Sequence, residues 1–401
     1  MSLQQTPNAN RLHIGLFGKR NSGKSSIINA LTGQDVAIVS DIPGTTADPV
    51  CKPMELHGIG PIVFIDTAGF DDKGKLGELR VEKTRSAMDK TDIALMIFAD
   101  DDKDHRTELE WINDFKNMNT PVIPVINKAD KINDSYDTIF QLITDKSGVR
   151  PVLVSAKTGE GIEDIREEII KNLPKDYGSD SITGDLVHEG DSVLLVMPQD
   201  IQAPKGRLIL PQVQTLRELL DKKCIVASCT TDKLQDALDS FKKAPDLIIT
   251  DSQVFKTVYE LKPEESKLTS FSVLFAACKG DSKFFKSGAE HIDELNEDSK
   301  ILIAEACTHK PLNEDIGRVQ LPGLLRKKLG ENLNIDTVSG SDFPEDLSKY
   351  DLVITCGACM FNRKHVLSRV EKAKNQNVPM SNYGIVIAYL NGILDKVSIN
   401  T

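Results

Sequence analysis

The chain has 401 residues, of which 40% are hydrophobic and 27% charged, and its formal net charge is −11. This length favours two or three domains, and the balance of residue types argues against general disorder. The acidic charge, without a polybasic run, excludes a typical nucleic-acid-coating protein, and no stretch approaches the roughly 18 apolar residues of a membrane helix. Seven cysteines, an odd number, suit a reducing compartment better than a disulfide framework. We therefore expect a cytoplasmic protein with neither a nucleic-acid nor a membrane partner.

In chain order, the predicted elements alternate short apolar strands with amphipathic helices, which is typical of an α/β protein with parallel sheets. Strands are predicted over 12–17, 62–66, 93–99, 122–127, 152–155, 192–197, 224–228, 247–250, 272–277, 300–305 and 351–355. A segment rich in Pro, Gly, Ser and Asp predicts a linker between the first and second parts. The pattern predicts three domains, an N-terminal P-loop domain followed by two smaller parallel-sheet α/β domains. The predicted ranges are 1–173, a linker over 174–190, 191–265 and 266–401.

The first predicted strand is followed by a phosphate-binding motif. Residues 18–25 read Gly-Lys-Arg-Asn-Ser-Gly-Lys-Ser, which matches G-x-x-x-x-G-K-[ST] between a strand and a helix. Backbone N–H groups of such a loop converge on a phosphate, while Lys24 reaches the β- and γ-phosphates and the Ser25 hydroxyl reaches Mg²⁺. The nucleotide-binding residues predicted here are Gly18, Asn21, Ser22, Gly23, Lys24, Ser25 and Ser26.

Four further motifs follow in the order used by the translation-factor-like GTPases, which the chain resembles here. They are Gly44-Thr45-Thr46, Asp66-Thr67-Ala68-Gly69, Asn127-Lys128-Ala129-Asp130 and Ser155-Ala156-Lys157. The resemblance implies that Thr46 is a second Mg²⁺ ligand and that Asp66 and Gly69 belong to the switch II motif. It also implies that the last two motifs hold guanine. Asp130 can accept two N–H bonds from guanine that adenine cannot supply, so the sequence predicts GTP, with Lys24, Thr46 and Asp66 as catalytic residues.

Two details refine the expected hydrolysis. Phe70 stands where Ras-type enzymes place the Gln that orients the attacking water, so we expect slow hydrolysis or machinery from elsewhere. Asn21 lies in the P-loop as in the potassium-activated TrmE-type GTPases, which the sequence resembles. The resemblance implies a bound K⁺ that acts electrostatically, unless Asn21 only shapes the loop. Those enzymes also orient the water with a Glu downstream of switch II, and Glu78 lies in about that place, in a segment that equally suits a solvated switch. Ala47 departs from the Arg found there in many TrmE-like proteins.

Cysteine and histidine residues follow two predicted strands of the last part. Cys307-Thr308-His309 comes after 300–305, and Cys356-Gly357-Ala358-Cys359 comes after 351–355. Both groups therefore lie beyond the carboxyl ends of parallel strands, where open α/β sheets bind ligands. From chemistry alone the four side chains could form a closed zinc site or an iron–sulfur site with an exchangeable fourth position, or they could be buried strand-end cysteines.

The whole pattern resembles the GTPase maturases of [FeFe]-hydrogenases, the HydF family. The resemblance implies that Cys307, Cys356 and Cys359 bind a [4Fe–4S] cluster, with His309 or Glu305 as candidate fourth ligand. Glu305 lies two residues before Cys307 and so on the same face of the strand, although it could equally be a solvated strand-end residue. The resemblance further implies a homodimer or larger homo-oligomer, two radical-SAM maturases that supply a di-iron precursor, and an apo-[FeFe]-hydrogenase that receives it. The alternatives are a TrmE-like tRNA-modification GTPase and a zinc-stabilised regulatory GTPase.

Overall fold

The computed structural model describes residues 6–33, 49–69, 75–99, 105–131, 136–174, 177–178, 181–198, 208–306, 316–340 and 342–399, without the side chains of 75–80 and 136. These residues divide into two compact units, 1–178 and 179–401. Strands and helices alternate in both units, and the predicted α/β fold class is confirmed.

The first unit is built on a six-stranded sheet of order β2-β3-β1-β4-β5-β6, in which β2 and β3 are antiparallel and the other neighbours parallel. Its strands are β1 (Leu12–Gly18), β2 (Val50–Leu56), β3 (Gly60–Asp66), β4 (Ile93–Ala99), β5 (Val122–Asn127) and β6 (Val152–Leu153). Its helices are α1 (Lys24–Thr32), α2 (Lys75–Met88), α3 (Arg106–Asn117), α4 (Tyr136–Ser147) and α5 (Ile162–Lys171).

The central strands of this sheet are apolar on both faces because helices cover both. All seven residues of β4 are buried, and they divide by alternation between two core clusters. Leu95 belongs to the cluster that contains α1 and α5 residues, whereas Met96 belongs to the cluster that contains Trp111 of α3. The continuous apolar run in the sequence is thus the mark of a strand buried between two helical layers.

The second unit contains two four-stranded parallel sheets, of order β10-β9-β7-β8 and β12-β11-β13-β14. The strands of the first sheet are β7 (Ser192–Val196), β8 (Ile225–Cys229), β9 (Leu247–Thr250) and β10 (Lys267–Ser270), and those of the second are β11 (Lys300–Glu305), β12 (Asn334–Ser339), β13 (Leu352–Thr355) and β14 (Met380–Asn382). The helices are α6 (Leu210–Asp221), α7 (Leu234–Asp239), α8 (Phe255–Leu261), α9 (Phe271–Lys279), α10 (Ser282–Glu290), α11 (Leu321–Leu329), α12 (Arg363–Asn375) and α13 (Tyr383–Leu390).

One apolar core runs through both sheets of the second unit. Leu194 and Ile248 of the first sheet belong to the same cluster of buried side chains as Ile303 and Ile354 of the second, and α9, α10 and α13 contribute to it. The two sheets are therefore parts of one packed body and not independent globules.

The segment around residues 265–280 differs from the sequence prediction. Residues 272–277, predicted as a strand, lie in helix α9, whose N-cap Ser270 accepts a hydrogen bond from the N–H of Val273. Because α9 is buried on most sides, it shows no polar face, and a short apolar run is then indistinguishable from a buried strand. Residues 267–270, which we assigned to the third domain, form β10 and pair with β9 in the sheet of the second. The sequence analysis also missed β2, β12 and β14.

The predicted linker over 174–190 is partly packed into the second unit. Ile182 and Val187 belong to a core cluster with side chains of β7 and β9. Glu218 of α6 holds this segment through the N–H groups of Ile182 and Thr183 at 2.6 and 2.8 Å and the hydroxyls of Ser181 and Thr183 at 2.9 and 2.6 Å. Burial alone raises the pKa of Glu218, but these hydrogen bonds outweigh burial and leave its pKa lowered.

Replacing Glu218 by Gln is expected to lower the free energy of unfolding by about 1–3 kcal/mol at neutral pH, because four donors lose a charged acceptor. A carboxylate whose pKa is lowered on folding stabilises the protein above its unfolded pKa, near 4.5, and ceases to do so as the pH falls through the folded value. Urea unfolding of both proteins between neutral pH and about pH 3 should therefore show the difference shrinking on acidification. Glu260→Gln on α8, where the carboxylate is 61% exposed, is the matched control. A difference that is the same at every pH would contradict this account.

Across the described ranges, no helix is both long and apolar enough to cross a membrane. The described cysteines are Cys51, Cys224, Cys229, Cys278, Cys356 and Cys359, and all six are free thiols.

Candidate functional site

The P-loop joins the end of β1 to the start of α1 through a backbone that requires glycine. Gly18 and Gly23 have φ values of 149° and 95°. A Cβ on Gly18 would lie 2.4 Å from the Ile97 carbonyl oxygen, and one on Gly23 would lie 2.1 Å from Nδ2 of Asn127. Gly23 caps α1 without a side-chain hydrogen bond, so the first N–H groups of the helix are left for an anion.

The side chains of Lys24 and Ser25, predicted to contact the phosphates and Mg²⁺, are both held by hydrogen bonds at the start of α1. Lys24 is buried, and its Nζ donates to the carbonyls of Gly18 and Lys19 at 2.9 and 2.7 Å. The Ser25 hydroxyl donates to Oδ2 of Asp66 at 2.8 Å. Ser25, the predicted Mg²⁺ ligand that the structure describes, is therefore adjacent to Asp66 of the predicted switch II motif, the first on a helix and the second at the end of β3.

The side-chain amide of Asn127 connects the two predicted guanine-binding motifs with the P-loop. Nδ2 of Asn127 donates to the Ser22 carbonyl at 2.9 Å, and its Oδ1 accepts from the N–H of Ala156 at 3.1 Å. The Ser155 hydroxyl donates to Oδ1 of Asp130 at 2.7 Å, and this hydrogen bond lowers the pKa of Asp130. Asp130 is therefore ionised at neutral pH, which suits an acceptor of two N–H bonds.

Several predicted residues of this site are not described. Gly44, Thr45, Thr46 and Ala47 lie outside the described residues, as does Phe70. The backbone of Glu78 lies in α2, but its side chain is not described. The proposed roles of Thr46 and Glu78 thus stay predictions.

Sequence reasoning missed two side chains near this site. Nζ of Lys52, on β2, lies 3.8 Å from Oδ2 of Asp66. Glu108, which is 2% exposed, places its Oε2 3.5 Å from Nζ of Lys19 in the P-loop. Neither belongs to a motif: β2 has no clear apolar alternation, and Glu108 is far from Lys19 in sequence.

The strands that carry the cysteine motifs are neighbours in the second sheet. β11 and β13 pair in parallel with Ala304 opposite Thr355, so Ala306 and Cys356 leave the same edge of the sheet. The N–H of Ala306 donates to Sγ of Cys356 at 3.1 Å. Cys307 and His309 lie outside the described residues, so their place beside Cys356 stays a prediction.

The surroundings of Cys356 are apolar but supply N–H donors and a cation. A small cavity beside it is lined mainly by apolar side chains and by the buried guanidinium of Arg369. Burial raises the pKa of the Cys356 thiol, and the N–H groups of Ala306 and Ala358 and the charge of Arg369 offset this only in part. N–H donors and a nearby cation stabilise a metal-bound thiolate, so Cys356 fits a ligand of an iron–sulfur cluster.

Glu305 is a buried residue, 4% exposed, and not the solvated strand-end residue that we kept as an alternative. Its Oε2 accepts from Nε and Nη2 of Arg318 at 3.2 and 3.1 Å and from the Ser339 hydroxyl at 3.3 Å. As a metal ligand it would have to use Oε1. In the described part of the chain, no three His, Cys, Asp or Glu side chains form a group that could hold a metal, so Glu305, Cys356 and Cys359 do not form one by themselves.

Family models match three parts of the chain. Residues 182–280 match the model described as "Hydrogen maturase F dimerization domain", and 283–399 match "Hydrogen maturase F tetramerization domain". Residues 13–128 match "50S ribosome-binding GTPase". The first two models together span more than half of the 401 residues.

Curated relatives match a smaller part of the chain. The chain is 38% identical over 162 residues to a tRNA modification GTPase MnmE of Prochlorococcus marinus (strain NATL1A), covering 40% of this chain and 34% of that protein. It is 34% identical over 173 residues to GTPase Der of Wolinella succinogenes, covering 40% and 35%. The match thus spans about a third of each relative. Among solved structures, Aquifex aeolicus Era bound to GDP·AlF4⁻ is 22% identical, with 54% of this chain and 92% of that chain covered and a TM-score of 0.37.

Proposed function

Because this chain belongs to the hydrogen maturase F family, we propose that it is a GTP-hydrolysing scaffold in the maturation of [FeFe]-hydrogenase, acting in the cytoplasm. It holds a [4Fe–4S] cluster, receives a di-iron precursor from radical-SAM maturases and delivers it to the apo-hydrogenase. The observation that carries the cluster assignment is Cys356, a half-buried residue at the shared edge of β11 and β13 whose sulfur accepts a backbone N–H.

In the nucleotide half, this chain's own residues bind and orient GTP. Backbone N–H groups of the P-loop and Lys24 hold the phosphates, and Asp130 accepts the N–H groups of guanine. Ser25 and Thr46 would hold Mg²⁺, with Asp66 bonded to the Ser25 hydroxyl, and the ion would neutralise charge that develops on the β- and γ-phosphate oxygens. Lys24 exchanges its two carbonyl partners for phosphate oxygens when GTP binds, so the loop supplies a cation already in place.

Hydrolysis in this proposal depends on K⁺ held by Asn21, with Glu78 orienting the water. Asn21 is exposed and has φ of 59°, a backbone conformation that Asn tolerates better than most residues. Replacing Asn21 by Ala is expected to remove the stimulation of kcat by K⁺ over Na⁺, with the KM for GTP changed much less, because the cation stabilises charge formed in the transition state. Steady-state GTPase assays in the two salts measure this. If the variant keeps the full K⁺ stimulation, Asn21 only shapes the loop.

In the cluster half, Cys307, Cys356 and Cys359 are the proposed thiolate ligands, and Glu305 or His309 is the candidate for the fourth position. Three thiolates leave one iron with an exchangeable site, which is the chemistry that docking of a di-iron cargo requires. The ion pair with Arg318 holds Glu305 in place, so a switch of ligand there would be confined to Oε1.

The domain assignment is also a proposal. We place the GTPase over 1–173, a linker from 174 to about 181, a dimerisation domain that includes β10 and α9, and a cluster-binding domain that starts near α10. The packing of Ile182 and the pairing of β10 with β9 support these revised ends. The homo-oligomer that we propose is supported by the dimerization and tetramerization descriptions of the matched models.

The test of this function is metal and sulfide analysis, with absorption and EPR spectra, of the full chain purified without oxygen. The proposal expects iron and sulfide at about four per chain and the spectrum of a [4Fe–4S] cluster. One zinc per chain in a colourless protein would identify the zinc-stabilised GTPase instead. A protein without metal that modifies tRNA would identify the TrmE-like alternative.

A further inference from the structure

Helix α9 is linked to the loop that carries Cys356 and Cys359 at two places, indirectly through Asn382 of β14 and directly through Lys279. At the start of the loop, Nδ2 of Asn382 donates to the Cys356 carbonyl at 3.1 Å, and Oδ1 of Asn382 accepts from the Ser272 hydroxyl of α9 at 2.9 Å. At the end of the loop, Nζ of Lys279, the last residue of α9, donates to three carbonyl oxygens. They are the carbonyls of Ala358, Cys359 and Phe361 at 3.2, 3.4 and 2.7 Å.

Lys279 is buried, with only 5% of its surface exposed. A buried ammonium is costly unless acceptors surround it, so the three carbonyl contacts are needed to keep Lys279 in this place and the loop is fixed in return. The Nζ atom also lies 5.4 Å from the ring centre of Phe275, one turn earlier on α9. A second link fastens the same end of the helix, because Nε of Arg363 donates to the Cys278 carbonyl at 3.1 Å.

This anchoring decides where the loop amides point. In a planar trans peptide the carbonyl of one residue and the N–H of the next point in opposite directions. With four carbonyls turned towards Asn382 and Lys279, the amides that follow them are turned away from these donors. Ala358 has φ of 48°, a conformation that costs energy for alanine and persists only where its surroundings hold it. The sulfur of Cys356 accepts the N–H of Ala306 at 3.1 Å.

We propose that Lys279 is a positioning residue for the cysteine loop, which couples α9 of the dimerisation domain to the iron–sulfur site. The proposal rests on the proposed function for the identity of the metal group. Lys279 connects two matched regions, because α9 lies in the part matched by the dimerization model and the loop lies in the part matched by the tetramerization model. Lys279 also adds a buried positive charge next to the loop, which raises the reduction potential of a cluster bound there.

The experiment compares Lys279→Met with the wild-type chain. Met has a similar volume without the donors, Lys279→Arg keeps a donor and the charge, and Lys283→Met on the exposed face of α10 is the matched control. In the metal-free protein, alkylation of Cys359, resolved by peptide mass spectrometry with exposed Cys51 as internal reference, reports how often the loop opens. In the reconstituted protein, iron release to a chelator and the midpoint potential report the bound site.

In Lys279→Met, Cys359 is expected to be alkylated about tenfold faster than in the wild type. It should also lose iron faster and shift the midpoint potential to more negative values, while Lys279→Arg recovers part of each effect. Alkylation, iron release and potential all equal to those of the wild type would overturn the proposal. If the wild type takes up no iron, the proposed function fails, and Cys359 alkylation in the metal-free protein still decides the role of Lys279. If circular dichroism shows that Lys279→Met is unfolded, Ser272→Ala is tested instead. It removes the hydrogen bond from α9 to Asn382, and the same alkylation assay measures its effect.

Discussion

Replacing Asp130 by Asn is expected to weaken GTP binding by at least about 100-fold and to improve binding of XTP. Asp130 is ionised, with one oxygen fixed by Ser155, so it presents acceptors to the two N–H groups of guanine. Asn offers one acceptor and an NH₂ group that faces the guanine amino group. Xanthine carries a carbonyl oxygen at that position and accepts from the Asn NH₂ group, so the preference between the two nucleotides should reverse. Fluorescence titration with GTP and XTP analogues measures both affinities.

The matched control for this change is Asp137→Asn, an exposed carboxylate on the neighbouring helix α4. It carries the same change of charge and should leave both affinities unchanged. Equal loss of GTP and XTP binding in Asp130→Asn would mean that the substitution damages the loop and that Asp130 does not recognise the base. In that case the damage would be traced to Ser155, because its hydroxyl donates to Asp130 and accepts from the N–H of Thr158.

Replacing Cys356 by Ser is expected to lower the iron bound after anaerobic reconstitution by more than about tenfold, because a thiolate is a far better iron ligand than a hydroxyl. GTP affinity and the GTPase rate should not change, since the P-loop motifs belong to the other compact unit. Iron analysis and EPR measure the first effect, and a phosphate-release assay measures the second. Cys51→Ser, at an exposed cysteine without a metal-ligand spacing, is the control and should keep the full iron content.

A full [4Fe–4S] EPR signal in Cys356→Ser would remove this residue from the ligand set. Loss of signal together with loss of helical circular dichroism would instead reflect misfolding, because Cys356 is packed against two core clusters. Cys359→Ser separates the two outcomes, since Cys359 is half-buried and is not among the side chains packed against these two clusters. Both variants must lose iron for the pair to be ligands.

Much of the α/β framework was predictable because its elements have strong local patterns. The bounds of β4 and β5 were predicted to the residue from their continuous apolar runs. The P-loop and guanine motifs were predicted to bind one nucleotide, and the hydrogen bond from Asn127 to the Ser22 carbonyl joins them. Short strands such as β10 and β14 were missed, because their assignment depends on the strands that pair with them.

The unpredicted parts of the sites are those that depend on long-range packing. Lys279 contacts a loop about 80 residues away, and no local pattern distinguishes a buried lysine at a helix end from a solvated one. The environment of Glu305 was likewise open until Arg318 and Ser339 were located beside it. Sequence spacing indicated which cysteines could bind a metal, but not which charges and amides surround them.

The core that runs through both sheets of the second unit has a consequence for how this half of the chain folds. A fragment that ended near residue 280 would remove Ile303, Ile354 and other members of the cluster that contains Leu194 and Ile248, and so would expose part of that cluster. Such an exposed apolar face favours aggregation. The two matched C-terminal domains are therefore expected to unfold in one cooperative transition, and neither is a sound choice for expression alone. The border between the family models at residues 280–283 divides the sequence but not the folding unit.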